Sequence, residues 1–165
     1  MCIELKVAFV NKELIINAAP TGVEIALLEN KKLVELHHEK TDANFAVGDL
    51  YLGKVKKLIP GLNAAFVEVG FEKDAFLHYT DLSPYVRSIL KFTSQYINEK
   101  PGEKADFAKF KVEPEIVKTG KITDVLGGKP NILVQILKEP IAAKGPRLSC
   151  ELSLPGRFVV VTPFN

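Results

Sequence analysis

Phe66, Phe76, Tyr51 and His78 fall within one short stretch, Leu50–His78, with Lys54, Lys56 and Lys57 among them. Flat rings beside cations are what a single-stranded nucleic acid asks of a protein: a face on which an unpaired base stacks, worth about 1–3 kcal/mol per base, and a charge for the phosphate. Rings can do this only if they point outward, and strands decide that, because successive side chains alternate between two faces. Tyr51, Val55 and Leu58 alternate with polar or small residues, Gly53 leaves room for a close backbone approach, and Pro60-Gly61 is the pair that a type II turn takes. The returning strand, Ala64–Val69, sets Phe66 and Glu68 on one face and Ala65, Val67 and Val69 on the other. After a turn at Gly70 and the charged tip Glu72-Lys73-Asp74, a third strand over Ala75–His78 places Phe76 and His78 on a shared face. The competing reading is that these phenylalanines fill a core, as most do.

A second group of cations, Lys138, Lys144 and Arg147, lies in KEPIAAKGPRL, whose prolines and Gly145 predict a loop between two strands. Phosphate contact is one use for them and ordinary solvation the other. The net charge is only +2, but it is unevenly spread: the first 48 residues hold five Lys against seven acidic residues, the remainder 17 Lys and Arg against 13. The basic excess therefore accompanies the aromatic stretch.

Other chemistries find little support. Hydrophobic content of 47% and charged content of 25% describe a folded chain rather than a disordered one. No stretch approaches the roughly 20 apolar residues of a membrane span, and Glu4, Lys6, Asn11 and Lys12 interrupt any signal-peptide core, so a cytoplasmic protein with no membrane partner is expected. Cys2 and Cys150 are too few for a disulfide framework or a zinc site. His37, His38, Glu39 and Asp42 can ligate metals, yet adjacent histidines on a strand point to opposite faces, so no metal site is expected. Phosphate-binding glycine loops and a GxSxG elbow are absent from the sequence. Glu68, Asp74 and Asp81 receive no catalytic role, although a small nuclease built on them is one rival reading.

The elements that must position these residues are mainly β. ELIINA, GVEIALLE and KLVELHHE predict a small β-meander over residues 11–45, with Asn30 suited to a left-handed turn. Residues 83–99 have a helical period, with Ser83 as N-cap and Pro84 at the first position; residues 100–117 predict a long loop. Strand patterns return at 131–138, 147–152 and 157–162 after the turn signal Gly127-Gly128-Lys129-Pro130. The expectation is a five-stranded barrel of oligonucleotide-binding (OB) topology over residues 46–155, with an insertion at about 85–120.

The order YxGxV, turn, AAFVxxG, AFLH resembles the S1-type subclass of the OB fold. The wider text, NKELIINAAPTGVEIALLENKKLVELHHE, YLGKVKKLIPGLNAAFVEVGFEKDAFLH and ILVQILKEPIAAKGPRLSCELSLPGRFVVVTP, closely resembles the N-terminal part of the ribonuclease E/G family of endoribonucleases. That resemblance implies that the meander is part of a ribonuclease-H-like subdomain and that Phe66 and Phe76 hold single-stranded RNA with help from Lys144. Tyr51, His78, Lys138 and Arg147 would complete the RNA surface. Gly156 and Val160, in a sensor strand over residues 156–165, match positions that shape a 5′-monophosphate pocket through backbone groups. Where family members often carry lysines before the first barrel strand, this chain has Ala46, Val47 and Asp49. The family's magnesium-binding carboxylates and its zinc-binding CPxCxG segment come downstream of Asn165. No cofactor is therefore expected in this chain, and homo-oligomer formation is expected only of a full-length parent. The expected role is single-stranded RNA binding by a portion of an RNA-processing endoribonuclease that does not cut by itself. The alternative is a free-standing S1-type RNA-binding accessory protein.

Overall fold

Three strands, β1 (Lys12–Ala19), β2 (Gly22–Glu29) and β3 (Lys32–Lys40), form an antiparallel sheet in the order β1-β2-β3. The computed structural model describes residues 11–40, 45–98 and 110–163, and the chain divides into two compact units, residues 1–44 and 45–165. The β2–β3 turn is made by Asn30 and Lys31, both at positive φ (50° and 64°). This is the backbone that a two-residue hairpin with right-handed strand twist requires, and Asn is among the residues that accept it. Leu14 pairs with Leu27, Ile15 with Ala26 and Ile16 with Ile25, so both faces of the sheet are apolar. Leu14, Ile16 and Leu36 are each 60–65% exposed, as expected where three strands bury little by themselves.

In the second unit, β4 (Leu50–Ile59), β5 (Ala64–Glu68), β6 (Ala75–His78), β7 (Asn131–Lys138) and β8 (Arg147–Ser149) close into a barrel in the order β4-β5-β6-β8-β7. Every pair is antiparallel except β6–β8. That order and its single parallel junction are those of an OB-type barrel, and the chain is mainly β as the patterning predicts. Val55, Val67, Leu77, Ile132, Val134, Ile136 and Leu148 point inward and are at most 1% exposed. Each such burial is worth about 1.5–3 kcal/mol. Gly53 belongs to the same inner row because β5 passes directly against it: a Cβ there would lie 2.5 Å from Val67 Cγ1 and 3.1 Å from the Glu68 carbonyl oxygen.

Several local expectations are corrected. Pro60-Gly61 does not make a type II turn; Pro60–Leu62 is a turn of 3-10 helix, and the left-handed residue is Asn63 (φ 48°). The Asn63 side chain explains the preference. Its Nδ2 donates to the Gly120 carbonyl (3.0 Å) and its Oδ1 accepts from the Ile122 N–H (2.7 Å), tying this turn to the entry of a short helix, α2 (Ile122–Leu126). Ile122 and Leu126 are fully buried in the barrel core; five residues are too few for a helical period to show in the sequence. The longer helix, α1 (Val86–Ile97), starts later than Ser83, which caps a preceding turn by accepting the Tyr85 N–H (3.1 Å).

Residues 110–117 have no regular structure but are strapped to the barrel unit. Glu113 N–H donates to Ser88 Oγ (2.8 Å), Ile116 N–H to the Pro84 carbonyl (2.9 Å), and the buried Tyr79 hydroxyl to the Val117 carbonyl (2.7 Å). The rest of the expected 100–117 loop, like Cys2 and Asp42, lies largely or wholly outside the described residues. At the Gly127–Pro130 turn the left-handed residue is Lys129 (φ 50°), not a glycine. The last expected strand shrinks to β10 (Val160–Val161), paired with β9 (Leu154–Pro155). Cys150 is a free, fully buried thiol whose pKa is pushed up by that burial. Among the described residues, no helix is long and apolar enough to cross a membrane.

Because Gly53 has no room for a side chain, Gly53→Ala is expected to cost about 1–3 kcal/mol through overpacking against Val67 and Val69. A urea unfolding midpoint measures this; an unchanged midpoint contradicts the packing described.

Candidate nucleic-acid interface

The same alternation that sends Ala65 and Val67 inward turns Phe66 outward, and the register places Phe76 directly opposite it on β6. The two rings are partly exposed, 6.1 Å apart between centroids and inclined by 69°. They are not sealed in the core. Across the parallel junction Phe76 is the partner of Arg147, and Arg147 in turn is the partner of Lys138 on β7. Phe66 and Phe76 line a groove of about 610 Å³ with Lys73, Asp74, Lys144 and Arg147.

Lys144 reaches this groove because the β7–β8 loop is pressed onto the β5–β6 turn. Gly145 is the point of contact. A Cβ there would collide with the Asp74 carbonyl oxygen and lie 2.8 Å from that of Lys73. Next to it, the Pro146 carbonyl accepts the Phe76 N–H (2.8 Å), and Lys144 itself closes a small turn by donating its N–H to the Ile141 carbonyl (3.0 Å). Lys138 and Arg147 thus stand at the strand ends flanking the loop, and only Lys144 of the three is carried on it.

The cations differ in how free they are. Arg147 gives both Nε (3.0 Å) and Nη2 (2.8 Å) to one oxygen of Asp81, whose side chain is only 15% exposed, so part of its charge is already answered. Lys144 and Lys138 have no ion pair among the described residues. Phe66, Phe76, Lys144 and Arg147 are therefore brought together, whereas three other expected residues are placed differently. Tyr51 is in the inner row of β4 with Gly53 and Val55; its ring stacks on Phe45 (4.9 Å, 7°) and its hydroxyl accepts the Phe45 N–H (3.0 Å). His78 sits 6.5 Å from Phe76, ring to ring, but its Nδ1 accepts the Thr80 N–H (3.2 Å) at the start of a 3-10 turn. Lys138 is one strand beyond the groove lining. Lys73 and Asp74, at the hairpin tip, join the groove although the sequence gives neither a part in RNA binding.

Gly156 and Val160 are on the β9–β10 hairpin, where the Gly156 N–H donates to the Val159 carbonyl (2.7 Å). At its tip the Arg157 guanidinium lies 5.0 Å over the ring of Phe158, which is 86% exposed. The metal-capable histidines diverge: His37 Nε2 approaches Glu35 (3.2 Å) and His38 Nδ1 approaches Glu24 (3.9 Å).

No protein-family model matches the chain. Individual relatives do. Ribonuclease G of Haemophilus influenzae is 35% identical over 153 residues, which is 93% of this chain and 27% of that protein. Ribonuclease G of Escherichia coli K12 is 30% identical over 151 residues, 92% of this chain and 27% of its own length. Ribonuclease E of Nostoc sp. is 37% identical over 120 residues, 72% of this chain and 13% of its own. The chain is homologous to the ribonuclease E/G family. It spans about 27% of the length of the ribonuclease G relatives.

In this ribonuclease E/G homologue, the geometry makes Gly145 the residue that positions Lys144. Gly145→Ala is expected to lift the loop, so that nuclear Overhauser contacts between residue 145 and Lys73 and Asp74 are lost while β4, β5 and α1 keep their chemical shifts. Retention of those contacts contradicts the role assigned to the glycine.

Proposed function

We propose that this chain binds single-stranded RNA along the groove of its OB-type barrel and does so as part of an RNA-processing endoribonuclease of the ribonuclease E/G type. The observation that carries the reading is the side-by-side pair of outward rings, Phe66 and Phe76, with Lys144 held beside them by the Gly145 contact. Bases stack on the rings without regard to sequence, and the lysine and Arg147 meet the backbone phosphates. Double-stranded RNA suits the groove poorly, since its bases are already stacked on one another.

Homology to ribonucleases supports RNA as the ligand class, and the outward rings on the OB-type barrel support that barrel as its seat, as an S1-type reading requires. The meander would belong to a ribonuclease-H-like subdomain of the parent enzyme, its two apolar faces being covered there. Gly156 and Val160 would line the 5′-phosphate pocket through backbone groups of the β9–β10 hairpin other than the Gly156 N–H, which the Val159 carbonyl already accepts (2.7 Å). A cytoplasmic location follows from the same reading. Magnesium and zinc chemistry, together with subunit assembly, would reside in the remaining length of the parent.

Each ring should contribute about 1–3 kcal/mol per stacked base. Phe66→Ala combined with Phe76→Ala is expected to weaken binding of a single-stranded oligonucleotide at least about tenfold, with an unchanged unfolding midpoint. Lys144→Ala should lower the slope of log affinity against log salt by about 0.7, the single-strand value for one phosphate. Fluorescence anisotropy over a salt series reads both. Unaltered affinity, or a double variant that unfolds, overturns the proposal in favour of a purely structural role for the rings.

A further inference from the structure

The ladder between β4 and β5 is regular as far as Val55 opposite Val67, and then slips: the partner of Phe66 is Lys57, not Lys56. This is a β-bulge, in which one extra residue on one strand re-aims its neighbours. Alternation alone would send Lys56 and Lys57 to opposite faces. The bulge sets both on the outer face, where they have different surroundings. Lys56 Nζ bridges Glu68 (3.1 Å) and Asp74 (3.4 Å), and the hydrogen bond to Glu68 raises its pKa. Lys57 is exposed and has no ion pair or hydrogen bond among the described residues.

The register then runs Lys57, Phe66, Phe76, Arg147 across β4, β5, β6 and β8. Directly opposed residues share a face, so two rings are bracketed by a cation on each side. Three inter-strand steps of about 4.8 Å make this row roughly 14 Å long. That is the length of about four stacked nucleotides at 3.4 Å each, within the range one OB fold takes. Lys144 and Arg147 serve one end of the row. The other end finishes on Lys57, one of the three lysines of β4.

The geometry points to Lys57 as a phosphate contact at the β4 end of the RNA path, delivered there by the bulge that sets Lys56 aside to neutralise Glu68 and Asp74. This rests on the groove being the RNA site. It adds that the bound strand crosses the barrel from Lys144 and Arg147, over both rings, to Lys57, and is not confined to the lined groove.

The test is anisotropy with a labelled single-stranded oligouridylate of about ten nucleotides, long enough for one OB fold, over a salt series. Lys57→Met keeps the aliphatic stem and removes the charge. It is expected to weaken binding roughly 5–10-fold near 50 mM salt and to reduce the salt slope by about 0.7, the single-strand value for one phosphate. Lys57→Arg should restore both. A Lys57→Met variant with wild-type slope and affinity overturns the inference. The Phe66→Ala, Phe76→Ala variant run alongside separates the two readings. If it loses binding while Lys57→Met does not, the groove stands and the Lys57 contact falls; if neither loses binding, the groove reading falls as well.

Discussion

Phe76 donates its N–H to the Pro146 carbonyl at 2.8 Å, between the two strands that run parallel, and there the barrel closes. The same junction assembles the candidate site. It fixes Phe76 beside Arg147, and one residue earlier it presses Gly145 onto the carbonyls of Lys73 and Asp74. A closed barrel leaves no freedom in which face each residue takes, so Phe66 and Phe76 cannot turn in without Val67 and Leu77 turning out. The exposed rings are thus a consequence of how the core is filled.

Charge is distributed around this ledge in a way that stability alone does not require, since surface ion pairs are worth only about 0–1 kcal/mol. Glu68 and Asp74 share Lys56, and Asp81 holds Arg147. Every carboxylate weighed as a possible nuclease group in this region therefore faces a cation. The effect is to quench negative potential beside the rings while leaving Lys57 and Lys144 unanswered among the described residues. An anionic strand would meet a surface already cleared of repulsion.

The strands and the outward rings were legible because period-two alternation reports directly on burial: AAFVE and AFLH state their faces in their own text. The OB topology was also expected, from five strand patterns with a helical one between the third and fourth. Contacts between residues distant in sequence were less accessible. Asn63 takes the left-handed turn position in place of Gly61 because Gly120 and Ile122, far along the chain, satisfy its amide. Tyr51 looks like a third platform ring until the inner row of β4 is seen to stack it, half-buried, on Phe45. The bulge at Lys56 leaves no signature, since KVKK reads as ordinary alternation with one lysine too many.

The central claim is that an RNA strand lies along one row on the outside of the barrel. A 1H–15N NMR titration of the chain with a short single-stranded oligonucleotide tests it most directly. The account predicts that amide shifts concentrate at Lys57, Phe66, Phe76 and the Ala143–Arg147 segment, with the α2 and inner-face amides still. Shifts confined to the meander or to α1, or none at saturating oligonucleotide, would contradict it.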